Sequence, residues 1–320
     1  AGRRRACVAP LGAPSRASGL LPLAFLVLVG GARALAVSSR AGAPPSVSFT
    51  KFQGLGNDFL LVDNRGAAAP VLTPPQAAAL CDRHFGVGAD GVIFLLPPGE
   101  GTGNDYTMRI YNSDSSEPEM CGNGVRLAAM FASELEGRED EPGVQYKFDT
   151  LAGTIVPRIM DDGRVRVDMG KPVLDPKLVP TTLPATENGV AQEVPLEVGG
   201  KQYHVTCVSM GNPHAVVFVD DLDELDLHTV GPMFENHPAF PERINTEFVQ
   251  VLSPTHLRMK VWERGAGPTL ACGTGACALL VAASLTGRSE RRAVVSLPGG
   301  DLDIEWEEGG HVMMTGPGVR

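Results

Sequence analysis

Cys-Gly-Asn-Gly occupies residues 121–124, and Cys-Gly-Thr-Gly occupies residues 272–275, 151 residues further along the chain. Each tetrapeptide leads into an apolar stretch, and helices are predicted over 122–136 and 273–285. The match extends upstream at the same spacing, because Arg-Ile-Tyr-Asn ends at residue 112 and Lys-Val-Trp-Glu ends at residue 263. The two cysteine motifs therefore belong to a repeated unit.

Other parts of the repeat occur in the same order in both halves. Gly56-Asn57 and Gly211-Asn212 each precede an apolar stretch, and Thr-Leu-Ala-Gly in the first half resembles Ser-Leu-Pro-Gly in the second. Ordered correspondences of this kind indicate duplicated structural units. The sequence thus predicts an α/β (α+β) protein of two pseudo-symmetric domains, 47–168 and 169–320, whose cysteine motifs face each other across a cleft.

Strands are predicted where β-branched and aromatic residues cluster between turn residues. The predicted strands are 59–62, 91–96, 108–111, 165–168, 205–210, 215–219, 248–252, 257–262, 294–297 and 302–306. A helix is predicted over 74–84, because Thr73 can cap it and proline follows at the first position. Residues 180–200 contain several prolines and glycines and are predicted to form a loop or hairpin region.

Composition limits the classes of function that need to be considered. The chain has 320 residues, 43% of them hydrophobic and 20% charged, which is typical of a globular protein. A net charge of −10 argues against a nucleic-acid surface. Six cysteines are too few for a disulfide scaffold of this length, and no CxxC pair indicates a zinc site. No apolar run reaches the roughly 20 residues of a membrane-spanning helix.

Residues 1–46 have the features of a targeting presequence rather than of a folded domain. They contain six arginines and no acidic residue, with an apolar run at Leu20–Val29 and Ala-Leu-Ala at 34–36. A basic region, a short apolar region and a small-residue site, followed by an acid-free segment, resemble a signal peptide joined to a plastid transit peptide. A secretory signal and a mitochondrial leader remain alternatives. The interpretation places the mature protein in the plastid stroma.

The repeated cysteine motif combines two chemical properties. Glycines at the start of a helix let a ligand approach the backbone, and the free N–H groups there attract a carboxylate. The same helix end is expected to lower the pKa of a thiol. Two such motifs facing each other would place one sulfur on either side of a bound carbon. This arrangement suits removal of a proton from one face by one sulfur and delivery of another proton to the opposite face by the other sulfur. No metal or pyridoxal phosphate motif is found.

Other interpretations of the motif are less favoured. A cysteine can be a small buried hydrophobe, as Cys81, Cys207 and Cys277 are predicted to be. A regulatory disulfide between Cys121 and Cys272 is a further alternative. A phosphate-binding loop does not fit, because neither a Walker Lys-Ser/Thr pair nor GxGxxG follows.

The combined motifs resemble those of the diaminopimelate epimerase family. The matching segments are FQGLGNDF at 52–59, GVGAD at 86–90, EPEMCGNG at 117–124, SMGNPH at 209–214, PERIN at 241–245, ERGAG at 263–267 and ACGTGA at 271–276. The resemblance implies a curved mixed or antiparallel sheet around a central helix in each domain. It also implies cofactor-independent interconversion of LL- and meso-2,6-diaminopimelate in lysine biosynthesis, with no metal, and a homodimer.

The resemblance also implies roles for particular residues. Cys121 and Cys272 correspond to the catalytic acid and base, and His214 and Glu263 to residues that tune the thiol pKa values. The substrate-binding positions are Asn57, Asn112, Gly122, Asn123, Asn212, Asn245, Glu263, Arg264, Gly273 and Thr274. Ser115 stands where the family usually has glycine. Gly91 stands where some members have a polar contact, so no role is carried to it.

The expected partner is therefore a small-molecule substrate, with no nucleic acid and no membrane for the mature form. A different amino-acid racemase or epimerase is the alternative within the same class. A non-catalytic small-molecule-binding or redox-sensing protein of the same fold is the alternative from another class.

Overall fold

The computed structural model describes residues 46–320. The predicted presequence therefore lies almost entirely outside the described residues. Within them, no helix is both long enough and apolar enough to cross a membrane.

The first half forms a six-stranded sheet in which the strands follow chain order. Its strands are β1 (Thr50–Gly54), β2 (Asn57–Asp63), β3 (Gly91–Leu96), β4 (Tyr106–Asn112), β5 (Phe148–Thr150) and β6 (Gly153–Ile155). Two helices accompany it, α1 (Pro74–Cys81) and α2 (Gly122–Glu136). All six residues of β3 are buried, as expected for a strand covered on both faces.

The second sheet has eleven strands. They are β7 (Arg158–Ile159), β8 (Val165–Asp168), β9 (Val194–Val198), β10 (Lys201–Ser209), β11 (Pro213–Phe218), β12 (Asn245–Ser253), β13 (His256–Glu263), β14 (Gly267–Pro268), β15 (Arg292–Leu297), β16 (Gly300–Trp306) and β17 (Val312–Gly316). The order is β7-β8-β17-β16-β15-β13-β12-β11-β10-β9, and β14 pairs with β13. Its helices are α3 (Leu227–Glu235) and α4 (Gly273–Leu285).

The strand pairing reproduces the repeat in the sequence. From β1 to β6 the successive pairs are antiparallel, parallel, antiparallel, parallel and antiparallel. The series β10, β11, β12, β13, β15 and β16 has the same alternation. The α/β class with two related halves is therefore confirmed.

The halves are joined by more than the connecting chain. β8 precedes residue 169, yet it pairs with β17, near the end of the described chain. Gln53 in β1 likewise exchanges two backbone hydrogen bonds with Val319, each 2.8 Å long. The domain limits at 47–168 and 169–320 stay a prediction. β7 and β8, which precede residue 169, belong to the sheet of the second half.

The two helices that follow the cysteine motifs are buried. Ala276–Ala283 in α4 is fully buried, and most of α2 is buried as well. Side chains of both helices belong to one hydrophobic cluster that runs from Phe52 to Met314. The apolar character of α4 on all sides follows from this central position.

Three local features differ from or refine the sequence expectations. α1 ends at Cys81 rather than residue 84, because the Asp82 carboxylate accepts the N–H groups of His84 and Phe85, both at 2.7 Å, and turns the chain. α3 was not predicted. Ser115 has a φ of 69°, the left-handed conformation that glycine adopts without strain, which explains the usual glycine there.

Candidate active site

The N-termini of α2 and α4 meet at one methionine. A Cβ atom built on Gly122 would lie 3.0 Å from Met314 Cε, and one built on Gly273 would lie 3.0 Å from Met314 Sδ. Cys121 and Cys272 are the N-cap residues of these helices, with nearly equal backbone angles of φ −136°, ψ 116° and φ −130°, ψ 105°. The fold therefore brings the two predicted cysteines into one place in equivalent conformations.

The two thiols have different hydrogen-bond partners. The Gly124 N–H donates to Cys121 Sγ over 3.4 Å, and Asn57 Oδ1 lies 4.0 Å from the same sulfur. Cys272 Sγ has the Thr274 hydroxyl at 3.6 Å. Cys121 is half-buried and Cys272 is buried, and both are free thiols in the described part of the chain.

The net effect on both thiols is opposite to the sequence expectation. Burial raises the pKa of Cys121, while the Gly124 N–H and the Arg126 guanidinium act in the lowering direction. Burial raises the pKa of Cys272 well above its usual value, and the nearby Glu263 and Glu247 carboxylates raise it further. The expected lowering was wrong in sign because desolvation outweighs the helix end.

The charge of Glu263 influences both thiols. Its carboxylate raises the pKa of Cys121 as well as that of Cys272. The Glu263 carboxylate accepts a hydrogen bond from the Thr269 hydroxyl. Burial raises the pKa of Glu263 itself, and the His214 imidazole acts in the lowering direction. Glu263 is thus a carboxyl group whose charge acts on both thiols.

His214 is part of a buried polar chain. Its Nδ1 lies 2.7 Å from Glu247 Oε1, and its Nε2 lies 2.9 Å from Asn212 Oδ1. His214 and Glu247 are both fully buried. The imidazole therefore links Asn212, at the start of β11, to a carboxyl group in β12.

Gly122, Asn123, Gly273 and Thr274 form the first turns of the two helices. Asn123 Nδ2 donates to Asn57 Oδ1 over 3.1 Å. The free backbone N–H groups of a helix N-terminus favour an anion. These positions therefore offer free N–H groups that suit a carboxylate.

The other predicted binding residues lie at or next to the ends of strands. Asn112 and Glu263 are the last residues of β4 and β13, and Asn112 Nδ2 donates to the Ser116 hydroxyl over 2.9 Å. Asn245 is buried, with Nδ2 donating to the Pro213 carbonyl at 2.8 Å and Oδ1 accepting the Arg264 N–H at 2.9 Å. Asn245 thus holds the backbone that carries Arg264.

Sequence reasoning missed two acidic residues, Asp90 and Glu247. Asp90 Oδ2 accepts from Asn57 Nδ2 over 2.7 Å, and Glu247 contacts His214 as described above. A signal existed for both. Asp90 ends the GVGAD segment, and Glu247 is a carboxyl group among the five buried residues that begin β12, which is rare without a partner.

Solved structures identify the fold class. A phenazine biosynthesis protein of the PhzF family from Bacillus anthracis matches with a TM-score of 0.59 at 14% identity, over 85% of this chain and 95% of that one. A hydroxyproline epimerase from Agrobacterium vitis matches with a TM-score of 0.57 at 15% identity, over 84% and 88% of the two chains. The architecture is thus that of the PhzF and proline-epimerase type.

Sequence comparison identifies the family. The family model for diaminopimelate epimerase matches residues 49–174 and 206–320. The diaminopimelate epimerase of Cyanothece sp. is 63% identical over 274 residues, covering 85% of this chain and 96% of the relative. The chloroplastic diaminopimelate epimerase of Oryza sativa subsp. japonica is 56% identical over 293 residues, covering 89% of this chain and 82% of the relative. The chain belongs to the diaminopimelate epimerase family, which confirms the predicted family and enzyme class.

Proposed function

We propose that the protein interconverts LL- and meso-2,6-diaminopimelate by two-base thiol chemistry. The observation that carries this proposal is the meeting of two equivalent cysteine-capped helix N-termini at Met314. Relatives that share 56–63% identity over most of the chain carry this activity in their names.

In the proposed chemistry the two sulfurs act in turn. One cysteine, as thiolate, removes the proton α to the carboxylate, and the other, as thiol, delivers a proton to the opposite face. The two cysteines exchange roles when the reaction runs in reverse. High thiol pKa values make each thiolate a stronger base, which matters because the α-proton of an amino acid is a far weaker acid than a thiol.

The negative charge that develops on the reacting carboxylate must be stabilised by hydrogen-bond donors held in fixed positions. The backbone N–H groups of Gly122-Asn123 and Gly273-Thr274, at the two helix N-termini, are the proposed donors, and they require no reorganisation during the reaction. Asn57, Asn112, Asn212 and the Glu263-Arg264 pair would bind the substrate's amino and carboxylate groups, mostly at its non-reacting end. Such hydrogen-bonding groups reject amino acids without a second polar end, because they would be left buried and unpaired.

The plastid stroma is the proposed location. The basis is the composition of residues 1–46 and the chloroplastic rice relative. A compartment that keeps thiols reduced also suits a site with two free cysteines.

The test is proton NMR of LL-diaminopimelate in D₂O with reduced protein (residues 47–320) and no added cofactor. The α-proton signal should disappear while the meso isomer accumulates. Cys121→Ala and Cys272→Ala should each abolish formation of the other isomer. Cys207→Ala removes a buried thiol from a separate core cluster and should retain turnover.

The other outcomes point to the alternatives. Exchange of another amino acid, but not of diaminopimelate, would indicate a different racemase. No exchange with any amino acid would favour a non-catalytic binding protein. Near-normal turnover in either cysteine variant would contradict the two-base mechanism.

A further inference from the structure

Asn57 and Asn212 occupy equivalent positions in the two halves. In the first parallel strand pair Phe59 lies opposite Gly91, and in the second His214 lies opposite Asn245. Each asparagine comes two residues before the first residue of its pair. The two halves therefore present the same amide side chain at the same point of the same fold.

The orientation of the Asn57 amide is set by Asp90. The Asp90 carboxylate can only accept hydrogen bonds when ionised, and it accepts from Asn57 Nδ2 at 2.7 Å. The Asn57 carbonyl oxygen is thereby turned towards Asn123 Nδ2, at 3.1 Å, and Cys121 Sγ, at 4.0 Å. Asp90 is itself held by the Asp58 N–H at 3.0 Å and by Arg83 Nη2 at 2.7 Å.

In the second half, the side-chain amide of Asn212 is held in the opposite orientation. The position equivalent to Asp90 is Ile244, which is fully buried and apolar. The position equivalent to Phe59 is His214, whose Nε2 lies 2.9 Å from Asn212 Oδ1. An oxygen there accepts the imidazole N–H, so the NH₂ group of Asn212 stays available as a donor. The two equivalent asparagines therefore have opposite polarity.

We propose that Asp90 is a positioning residue that holds the Asn57 carbonyl oxygen towards Cys121, so that the first half offers an acceptor where the second half offers a donor. This inference rests on the proposed epimerase function. An acceptor beside Cys121 suits a thiol proton or a substrate ammonium group, and a donor on the other side suits a carboxylate. If Asn57 and Asn212 had the same orientation, the two sides could not distinguish an ammonium group from a carboxylate.

A double-mutant cycle tests the proposal. Asp90→Asn can donate as well as accept, so it no longer dictates the orientation of Asn57. We expect it to lower kcat/KM for LL-diaminopimelate by about tenfold, the typical cost of one charge-assisted hydrogen bond. In an Asn57→Ala background the same change should have almost no further effect, because Asp90 acts through Asn57.

The matched control is Arg83→Gln. It removes the ion pairs of Arg83 with Asp90 and Asp58, while the Asn57–Asp90 hydrogen bond and the Lys51–Asp58 ion pair remain. It should change kcat/KM by less than about threefold, because the Arg83 side chain is half exposed and such pairs contribute little. An equal loss from Asp90→Asn in both backgrounds, or an equal loss from Arg83→Gln, would overturn the positioning role.

A second readout does not depend on turnover. The pH profile of Cys121 alkylation by iodoacetamide, followed by peptide mass spectrometry, should move to lower pH in Asp90→Asn, because the freed amide can turn an N–H towards the sulfur. The shift should disappear in the Asn57→Ala background, and its persistence there would contradict the proposal. If wild type does not epimerise diaminopimelate but the alkylation cycle behaves as expected, the proposed function fails and the positioning role stands.

Discussion

At the scale of single residues, the Glu263 carboxylate affects the ionisation of both thiols. A negative charge beside a thiol disfavours the thiolate, and Glu263 raises the pKa of both cysteines. Arg126, which is fully buried in α2, acts on Cys121 in the opposite direction. The tendency of each thiol to ionise therefore depends on which charged groups lie near it, not on the helix end alone.

We expect Glu263→Gln to lower the pKa of both thiols, because the nearby negative charge is removed while the side-chain size is kept. The alkylation profiles of Cys121 and Cys272 should both move to lower pH. Glu187→Gln changes an exposed carboxylate in the same manner and should leave the profiles unchanged. A shift to higher pH would show that Glu263 does not act on the thiols through its charge.

Gly275 is a position where a side chain would disturb the surroundings of Cys272. A Cβ atom there would lie 2.6 Å from Glu247 Oε1 and 3.1 Å from Cys272 Sγ. We expect Gly275→Ala to displace one of these groups, to lower stability by about 1–3 kcal/mol and to reduce turnover. Thermal unfolding and NMR turnover measure the two effects.

Gly309→Ala is the control for this substitution, since a Cβ atom built at Gly309 has no neighbour within 4 Å. It should match wild type in both assays. Wild-type turnover and stability in Gly275→Ala would contradict this prediction, because neither Glu247 nor Cys272 would then need its present position.

At the scale of elements, α3 supports the loop that follows β13. Trp262 Nε1 donates to Glu235 Oε2 at 2.7 Å, and the Gly265 N–H donates to Glu235 Oε1 at 2.8 Å. Gly231 of α3 packs on the Trp262 ring, and a Cβ atom there would lie 2.4 Å from it. Glu263 and Arg264 lie between these attachment points, so α3 helps to place them.

We therefore expect Gly231→Ala to push Trp262 away, to lower stability by about 1–3 kcal/mol and to raise KM more than it lowers kcat. Tryptophan fluorescence, thermal unfolding and steady-state kinetics report the three changes. Gly66→Ala, built into open space, is the control. An unchanged KM in a folded Gly231→Ala variant would show that α3 does not influence substrate binding.

At the scale of the whole molecule, the two halves share one core. The largest hydrophobic cluster contains residues of both buried helices and of both sheets. β8 pairs with β7 on one side and on the other with β17, which follows it by more than a hundred residues. Neither half can bury this surface alone.

We expect residues 46–320 to unfold in one cooperative transition, with the calorimetric enthalpy equal to the van't Hoff enthalpy. Differential scanning calorimetry of the reduced protein measures both. Two resolved transitions would instead support domains that divide at residue 168 and unfold independently.

The sequence by itself determined the repeat, the α/β class, the helices after Cys121 and Cys272 and the family, because these depend on local patterns and ordered motifs. The predicted strands over 91–96 and 257–262 lie within observed strands for the same reason. α3 was missed since it holds an internal proline, Pro232, and its place depends on packing against Trp262.

Only the tertiary structure decided the charges around the thiols and the pairing of distant strands. The sequence placed both cysteines at helix N-termini and implied lower thiol pKa values, but burial, which no local pattern specifies, reverses the sign. The roles of Asp90 and Glu247 depend on which strands lie side by side. Those contacts form between residues far apart in the chain, so their chemistry became visible only in the folded molecule.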